Sequence, residues 1–558
     1  MLNFSADPHT AEQEMQAVIY YLTAIAHLDG HFDESEREYV HDHINLLVRH
    51  RTREAVGSDD LTPYAETIQQ WTQHFHEVAA MVAAEVAGYF TESVAEGEDP
   101  LAFVTARLKL RCFELFERFD ETGQAQLLRV ADAMIKADGV VHPAEQAFRD
   151  EIEALLHAPV QLDDEHIEPI DVGSLLVEAP RARVPKQSDH PFLRANERAF
   201  SRDPLAFAEE AEEDLALIRR VMETLEARRA DGAGMLAGRK DFSAYAPGTS
   251  FADGHVHVLM PDDAPVELLV IGDLHGCYSC LKAALMQADF FAKVQAHHDD
   301  PAHNPAMKLV LLGDYIDRGR FSYNGVLRAA MRIFTAAPGD VYLLRGNHEY
   351  YVELNGRVLA PVRPAEAMTS LQGIAQQNVF ATYMRLFEAL PTSFVFDRTM
   401  FVHAGIPRDE TFAEKWVDLD SLNDPDIRFQ MLWSDPSTSD FVPAELQAAN
   451  ARFPFGRKQF QRFMGHLGLR AMVRGHEKIN EGFRVVYDDP QARLFTLFSS
   501  GGKTNDDLPP ESSYRDVTPM ALTVLHRDGV SEVTPFAIDY ARYNDPRVNA
   551  FFAEKLAG

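Results

Sequence analysis

The chain is 558 residues long, more than one hydrophobic core usually fills, so we expect two or three domains. With 46% hydrophobic and 25% charged residues, its composition is that of a globular protein. With 53 Lys and Arg against 86 Asp and Glu, the net charge of −33 repels DNA, RNA and anionic lipid surfaces, which argues against nucleic acid as a partner. A phosphate-handling site in such a chain needs metal ions and arginines that reverse the potential locally.

The cysteine content and the apolar stretches indicate the cellular compartment in which we expect the protein. Cys112, Cys277 and Cys280 are too few for a disulfide framework and are compatible with a reducing environment. The N-terminus lacks the basic and apolar regions of a signal peptide. The most apolar stretch, residues 78–90, is short for a membrane span and carries Glu85. These features predict a soluble protein of the cytoplasm with no membrane partner.

The first part of the chain shows helical periodicity. Between residues 11 and 157, apolar residues recur at helical spacing, as in Val18, Leu22 and Ile25. β-branched alternation is not seen there, so we expect an all-α domain over residues 1–160.

This helical part contains a short repeat. Asp29 precedes a glycine and lies seven residues before Glu36, and Asp138 and Glu145 have the same arrangement. One interpretation is two helix corners with solvated acids, and the other is a site for Ca²⁺ or Mg²⁺. The paired corners resemble the tellurite-resistance TerB-like domains, which are helical modules often fused to other domains. The resemblance implies a domain that regulates or localises the rest of the chain by binding a divalent cation or a partner protein.

The next stretch, residues 161–250, has a weak pattern and several prolines, and we interpret it as a helical connector. Within it, residues 204–230 are predicted to form one amphipathic helix. The acidic run from Glu209 to Asp214 is expected to be a solvated face.

After Val266 the pattern changes to short apolar runs, VELLVIG, MKLVLLG and VYLLRG, that alternate with helical stretches. This alternation predicts an α/β domain over residues 251–558 with at least part of its sheet parallel. Each run ends at a glycine beside charged residues. The carboxyl ends of such strands are where an α/β sheet places its chemistry.

Potential metal ligands follow five successive apolar segments of this domain. They are Asp273, His275, Asp314, Asn347, His403 and His476. Oxygen and imidazole donors without thiolate suit Mn²⁺, Fe²⁺ or Zn²⁺ better than a structural zinc site. One such motif alone is usually a turn or a structural histidine, but the joint pattern indicates a metal centre.

The sequence blocks around these residues resemble the PPP-type serine/threonine phosphatases of the calcineurin-like metallophosphoesterase superfamily. The blocks are GDLHG, GDYIDRG, LLRGNHE, LPTSFVFDRTMFVHAGI, LWSDP and FGRKQFQRFMGHLGLRAMVRGHEKINEGF. The resemblance covers residues 266–539 and implies a metallophosphoesterase fold, a β-sandwich core with flanking helices, preceded here by the all-α domain. It also implies two divalent metal ions, the first held by Asp273 and His275, with Asp314 bridging. Asn347, His403 and His476 would complete the second site.

The same resemblance implies the catalytic groups. Two ions would generate a hydroxide from water at neutral pH, so no protein nucleophile is required. His348 is the expected general acid, with Asp317 orienting its imidazole. Arg318 would bind the phosphate oxygens, and a salt bridge with Glu349 is a compatible structural role. Arg452 is the candidate for a second phosphate-binding arginine.

Two departures from the family pattern concern the site. His403 lies in a His-Ala-Gly block where the family has His-Gly-Gly, which should leave the histidine a ligand. Ser499-Ser500-Gly501-Gly502 replaces a loop that carries a tyrosine beside the substrate, so we expect that tyrosine to be missing.

Cys277 and Cys280 begin a predicted helix directly after the first metal motif. A helix N-terminus can lower the pKa of a thiol, which would make the pair redox-active. The alternative, two small packing residues, is favoured because the surrounding pattern is not thioredoxin-like.

The leading functional hypothesis is a phosphoprotein (Ser/Thr) phosphatase. The alternative is a phosphohydrolase of small molecules or dinucleoside polyphosphates. A third hypothesis is a metal-bound scaffold with weak turnover. Intact Asp317, Arg318 and His348 argue against the scaffold, because a binding module does not need an acid with an orienting carboxylate.

Overall fold

The computed structural model describes residues 7–26, 34–89, 100–136, 143–157, 175–449 and 452–556. The chain divides into two compact units. The helical unit comprises Met1–Asp164 and Ser437–Gly456, and the sheet unit comprises Glu165–Pro436 and Arg457–Gly558. The predicted domain boundaries near residues 160 and 250 stay predictions.

Helices and strands are numbered in chain order over the described residues. The α-helices α1 to α17 span Pro8–Ala26, Glu34–Val56, Ala65–Tyr89, Pro100–Phe116, Glu121–Met134, Pro143–Leu156, Pro191–Arg194, Pro204–Gly232, Tyr278–Gln287, Phe290–Asp299, Arg328–Ala336, Glu366–Ser370, Gln377–Ala389, Asp409–Lys415, Pro425–Met431, Ala444–Ala449 and Arg457–Leu467. The strands β1 to β15 span Leu175–Val177, Ser250–Asp253, Val256–Leu259, Val266–Ile271, Ala306–Leu311, Val341–Leu343, Val352–Leu354, Arg357–Leu359, Ser393–Phe396, Thr399–Val402, Ala471–Arg474, Phe483–Asp488, Arg493–Leu497, Met520–Arg527 and Val530–Ala537.

The helical unit packs around α1. Val18, Leu22 and Ile25 of this helix are each at most 1% exposed, and α1 contacts every one of α2 to α6. The Asp120 carboxylate caps α5 by accepting a hydrogen bond of 2.8 Å from the Gly123 amide. The prediction of an all-α region is confirmed.

The two acidic corners predicted in this unit lie mostly outside the described residues. Asp29 and Asp138 are not among them, nor is the side chain of Glu36. Glu145 lies in the first turn of α6 and is half-buried. The cation-binding interpretation therefore stays a prediction.

A segment from late in the chain belongs to the helical unit. Val442 just before α16 and Leu446 within it share a small apolar core with Leu110 and Phe113 of α4. Glu114 accepts hydrogen bonds of 2.6 Å from the Ser437 hydroxyl and 3.0 Å from the Thr438 amide. Its side chain is buried, so these donors offset the cost of removing a carboxylate from water.

The sheet unit is built on two sheets that face each other. One has the strand order β1-β15-β14-β4-β5-β6, and the other β12-β13-β11-β10-β9-β3-β2. Leu268, Val310 and Leu344 from the first sheet pack with Phe401 and Val473 from the second. β4, β5 and β6 are parallel neighbours, as the apolar runs predicted. The metallophosphoesterase fold with a helical region in front is thus confirmed.

Helix α8 packs against α11, α13 and strand β2. It spans Pro204–Gly232, close to the predicted 204–230, and buries Leu215 and Ile218 in the same core as α9 and α11. The expectation of a solvated acidic run is wrong for one residue. Asp214 is 1% exposed and binds Arg328 of α11 through two guanidinium nitrogens at 2.8 Å.

Candidate metal centre

The predicted site residues follow the carboxyl ends of strands from both sheets. Asp273 and His275 follow β4, Asp314 follows β5, and Asn347 follows β6. In the second sheet, β10 and β11 are parallel neighbours, and His403 and His476 come just after them. Because these ends meet at one edge of the sandwich, side chains distant in sequence converge there.

Several of the candidate site residues have strained backbone conformations. His275, Asp314 and His476 have φ values of 43°, 50° and 68°, in the left-handed region that side chains other than glycine rarely adopt. Asp317 and Arg318 do the same, with φ of 68° and 63°. Strained residues persist where the surroundings hold them, and they cluster at functional sites.

The first group of candidate ligands contains His275, Asp314 and Asp273. His275 Nε2 lies 3.3 Å from Asp314 Oδ2 and 3.9 Å from Asp273 Oδ2. On the other side of the ring, His275 Nδ1 lies 2.9 Å from the carbonyl oxygen of Ile316 and donates to it. That bond leaves the proton on Nδ1, so the lone pair of Nε2 points at the carboxylates.

The second group contains Asn347, His403 and His476 and shares Asp314 with the first. His403 Nε2 lies 3.0 Å from Asn347 Oδ1, 3.2 Å from His476 Nδ1 and 3.4 Å from Asp314 Oδ1. His403 Nδ1 donates to the carbonyl of Leu312 at 3.0 Å, which again turns the unprotonated nitrogen inwards. The Asn347 amide is therefore surrounded by acceptor atoms.

The electrostatics of both groups fit a divalent cation. Burial raises the pKa of Asp314 well above its usual value, and the charges of Asp273 and Glu349 raise it further. Burial lowers the pKa of His275 and His403, so both imidazoles are neutral. Converging carboxylate, amide and neutral imidazole acceptors are the donor set of borderline or hard divalent ions.

Close backbone approach helps to pack the two groups together. A Cβ atom on Gly475 would lie 2.1 Å from Asp273 Oδ1, so only glycine fits before His476. The His476 amide donates to the same carboxylate oxygen at 2.9 Å.

His348 and Asp317 form a dyad beside these ligands. His348 Nδ1 lies 2.7 Å from Asp317 Oδ2, and the Ala367 amide donates to Asp317 Oδ1 at 2.8 Å. Burial raises the pKa of Asp317 to about 6, while the Ala367 amide and Arg318 act to lower it. His348 also lies close enough to His275 and Asp314 to be counted with them as a possible metal ligand.

The sequence suggested a salt bridge between Arg318 and Glu349, but the acidic partner of Arg318 in the structure is Glu366. Its Nη1 donates to the two carboxylate oxygens of Glu366 at 3.1 Å and 3.2 Å, and to the Pro364 carbonyl at 3.1 Å. Glu349 is instead fully buried and accepts backbone bonds from Asp314, Tyr315 and Gly346. Arg318 Nη2 lies 3.5 Å from His348 Nε2.

Arg452, the second arginine predicted for the site, belongs to the helical unit. It is half-buried in the segment that groups with the helical unit. Its role at the metal centre stays a prediction.

Three residues at the site were not predicted. Asp435, in the LWSDP block, holds Arg474 at 2.6 Å and lies 3.9 Å from His476 Nε2, so the motif itself carried a signal. Glu366 begins the short helix α12, and Tyr514 lies in the 3₁₀ helix Ser513–Asp516. Neither segment carries a recognisable motif. The Tyr514 ring centroid is 5.4 Å from that of His275, so a tyrosine is present despite the loss expected from the Ser499–Gly502 loop.

The two cysteines near the first metal motif are packing residues. Cys277 and Cys280 are fully buried free thiols at the start of α9. Burial raises the pKa of Cys277 well above its usual value, the opposite of a reactive thiolate.

Comparisons with known proteins agree with the fold. Residues 266–479 match the family described as calcineurin-like phosphoesterase. The matched segment lies within the sheet unit, and the matched family implies divalent metal ions.

Individual relatives are serine/threonine phosphatases at modest identity. A protein of Encephalitozoon cuniculi, named as a probable serine/threonine-protein phosphatase, is 26% identical over 48% of this chain and 53% of its own length. The serine/threonine-protein phosphatase 6 catalytic subunit of Caenorhabditis elegans is 24% identical over 34% of this chain and 56% of its own. The chain therefore spans about half the length of these relatives.

Among solved structures, a Saccharomyces cerevisiae serine/threonine phosphatase with similarity to human phosphatase PP5 covers 59% of this chain and 90% of its own, at 17% identity and a TM-score of 0.36. Separately, within the described residues each helix is too short or too polar to cross a membrane.

Proposed function

We propose that this protein is a two-metal phosphoester hydrolase that removes phosphate from phosphoserine or phosphothreonine of proteins. The observation that carries the proposal is the shared position of Asp314. It belongs to one group with His275 and His348 and to a second group with His403 and His476.

In this proposal Asp273, His275 and Asp314 hold one ion, and Asp314, Asn347, His403 and His476 hold the other. Mn²⁺, Fe²⁺ and Zn²⁺ all suit these donors. When bound, two such ions supply a nucleophile from water and neutralise charge on the phosphoryl group.

The remaining chemistry falls to the side chains next to the ligands. His348 gives a proton from Nε2 to the leaving oxygen of the substrate, because Nδ1 is held by Asp317 at 2.7 Å. Asp317 keeps the imidazole in that orientation and stabilises its charged form. Arg318, fixed at Nη1 by Glu366, presents its other nitrogens to the phosphoryl oxygens.

A phosphoprotein substrate is supported by the names of the relatives and by the protein-phosphatase form of the sequence blocks. A dinucleoside polyphosphate or other small phosphoester is the alternative. We include a reducing compartment such as the cytoplasm in the proposal, because all three cysteines are unpaired.

The test uses full-length protein loaded with Mn²⁺ and assayed on an aryl phosphate, phosphopeptides and dinucleoside polyphosphates in parallel. His348→Ala should lower turnover by about 10²–10⁴, and Asp314→Asn should lower it on the order of 10³-fold. His298→Ala and Asp299→Asn, at the exposed end of α10, serve as matched controls. Equal rates in wild type and both site variants would refute the mechanism, and preferred hydrolysis of dinucleotides would favour the alternative substrate. If the protein binds metal and phosphate but shows no turnover, the result would support the third hypothesis, a metal-bound scaffold.

We further propose that the helical unit regulates the hydrolase by holding the segment 437–456. This segment interrupts the phosphoesterase sequence directly after LWSDP and contains Arg452. Glu114 binds its first residues, and Leu110 and Phe113 hold Val442. A partner protein or a divalent ion at the helical unit would then act on turnover through this segment.

Glu114→Ala in the full chain tests the regulatory proposal, with Glu121→Ala, in the first turn of α5, as the control. We expect faster proteolysis within residues 437–456 and a changed KM for phosphopeptides. A protease pattern and kinetics identical to wild type would refute the proposal.

A further inference from the structure

Two helices of the sheet unit turn polar faces towards a common cavity. Arg220, Glu223 and Thr224 of α8 are three and four residues apart, so they share one face of that helix. Arg332 and Thr335 share a face of α11 in the same way. The two helices contact each other, and these residues line a cavity of about 420 Å³. That volume is within the range of about 300–1,000 Å³ that small-molecule sites occupy.

The charge of Arg332 is not neutralised by the carboxylates around it. Its side chain is half-buried, and its Nε is buried without a hydrogen-bond partner among the described residues. Asp214 is bound by Arg328. Glu213 pairs with Arg198. Burial lowers the pKa of Arg332, and the charges of Arg198 and Arg328 act in the same direction, while Asp214 opposes them. An anion in the cavity would relieve this excess of positive charge.

Arg220 brings a second positive charge to the same cavity. It is exposed and forms no ion pair within the part of the chain that the structure describes, whereas its neighbour Arg219 binds Glu212 at 2.7 Å. Glu223 also lines the cavity, so two guanidinium groups face one carboxylate there. The local charge is therefore positive in a chain whose net charge is −33. The planar fork of a guanidinium matches the oxygens of a phosphate group.

The other side chains of the cavity offer acceptors and a ring. The Thr224 hydroxyl donates to the carbonyl of Arg220 at 2.7 Å. The Thr335 hydroxyl donates to the carbonyl of Arg332 at 3.1 Å. Because both protons are used in these bonds, the two oxygens are left to accept from a ligand. Phe192 of α7 lines the same cavity and is half-buried, which gives an aromatic ring of a ligand a surface to pack against.

We propose that this cavity binds a small phosphate ester that carries an aromatic ring and hydroxyl or amino donors, such as a nucleoside monophosphate. The phosphate lies between Arg220 and Arg332, and the ring lies against Phe192. The described residues that line the cavity include none of the candidate metal ligands. The inference therefore goes beyond the proposed hydrolase function and does not depend on it.

The experiment measures binding by calorimetry with the full chain loaded with Mn²⁺. The probe is the methylenephosphonate analogue of adenosine 5′-monophosphate, in which CH₂ replaces the ester oxygen, so a phosphoester hydrolase cannot cleave it. Inorganic phosphate and adenosine are titrated separately as the two parts of this probe.

Two variants serve as controls. Arg219→Gln removes an arginine from the same helix whose side chain binds Glu212 instead of lining the cavity. Asp314→Asn impairs the metal centre and so separates binding there from binding in the cavity. Both should keep the affinity of the cavity for the probe.

The variants of the cavity should change the affinity in both directions. Arg332→Gln should raise the Kd of the probe about tenfold or more, the scale of lost hydrogen bonds to a charged group. Arg220→Gln should raise it about three- to tenfold, since this arginine is exposed. Glu223→Gln should lower the Kd about twofold, a gain that a misfolded protein cannot give. Phe192→Leu should weaken binding of the probe and leave binding of inorganic phosphate unchanged.

Absence of probe binding by the wild type would overturn the inference, as would equal weakening in Arg219→Gln and Arg332→Gln. Loss of binding in Asp314→Asn, with an unchanged Kd in Arg332→Gln, would place the probe at the metal centre and overturn it as well. Equal affinity for inorganic phosphate and for the probe would overturn the proposed ligand class. If the predicted pattern is found in a protein without turnover, the cavity assignment stands and the hydrolase proposal fails.

Discussion

Two buried aspartates of the sheet unit have opposite surroundings. Asp214 of α8 meets Arg328, so each charge is neutralised by the other inside the fold. Asp314 after β5 lies beside two imidazole nitrogens, and burial together with the charges of Asp273 and Glu349 raises its pKa. Asp214 has its counter-ion within the fold. The carboxylates around Asp314 repel one another, and a bound cation would relieve that repulsion.

Replacing each aspartate by asparagine should separate the two roles most strongly. Asp214→Asn leaves the Arg328 charge buried without its counter-ion and should cost about 3–5 kcal/mol of stability. Asp314→Asn should leave the metal-free protein as stable as wild type or more so, yet lower turnover on the order of 10³-fold. Chemical denaturation of metal-free protein and a rate assay measure both effects. An equal loss of stability in the two variants would contradict the comparison.

Asp317 is a third buried aspartate, and its partner is His348, the histidine beside the metal ligands. Asp317→Asn should lower kcat by about 10²-fold, since His348 loses the partner that orients it. Metal content, measured by elemental analysis, should be unchanged, with Asp299→Asn as the control. A parallel loss of metal would show instead that His348 and Asp317 act as part of the ligand set.

Asp507 extends the comparison to pH. It is fully buried against Ser279, and burial raises its pKa to about 7. Because the folded pKa lies above the unfolded value, the stabilising contribution is complete below about pH 4 and is lost as pH rises through 7. Asp507→Asn should therefore flatten the fall in melting temperature between pH 4 and 7 by a few degrees. An identical pH profile for variant and wild type would contradict the assigned pKa.

The smallest effect is expected at Glu366, which is 41% exposed and pairs with Arg318. Glu366→Gln keeps an acceptor for Nη1, so KM should rise only about two- to threefold while kcat stays constant. Glu353→Gln, on the small β7–β8 hairpin, is the control. A tenfold or larger effect would contradict the small contribution expected of this partly exposed pair.

The ligand candidates could be read from the sequence because each directly follows an apolar run that must be a buried strand. Glycine and charge at the ends of VELLVIG and MKLVLLG located Asp273 and Asp314 before the sheet order was known. Tyr514 and Glu366 could not be found this way, since the short helical segments that carry them reach the site only through tertiary packing. Asp214 was missed for a related reason: its partner Arg328 is 114 positions away.

The capture of residues 437–456 by the helical unit has a consequence for protein synthesis. The ribosome completes α1 to α6 early, but Val442 and Leu446, which cover Leu110 and Phe113, emerge only after β4 to β10 have been translated. Until then the side chains of Leu110 and Phe113 on α4 lack this cover, and transiently exposed apolar surface makes a folding chain prone to aggregation. The helical unit, although its first 164 residues are translated first, is therefore complete only after Gly456 has been translated.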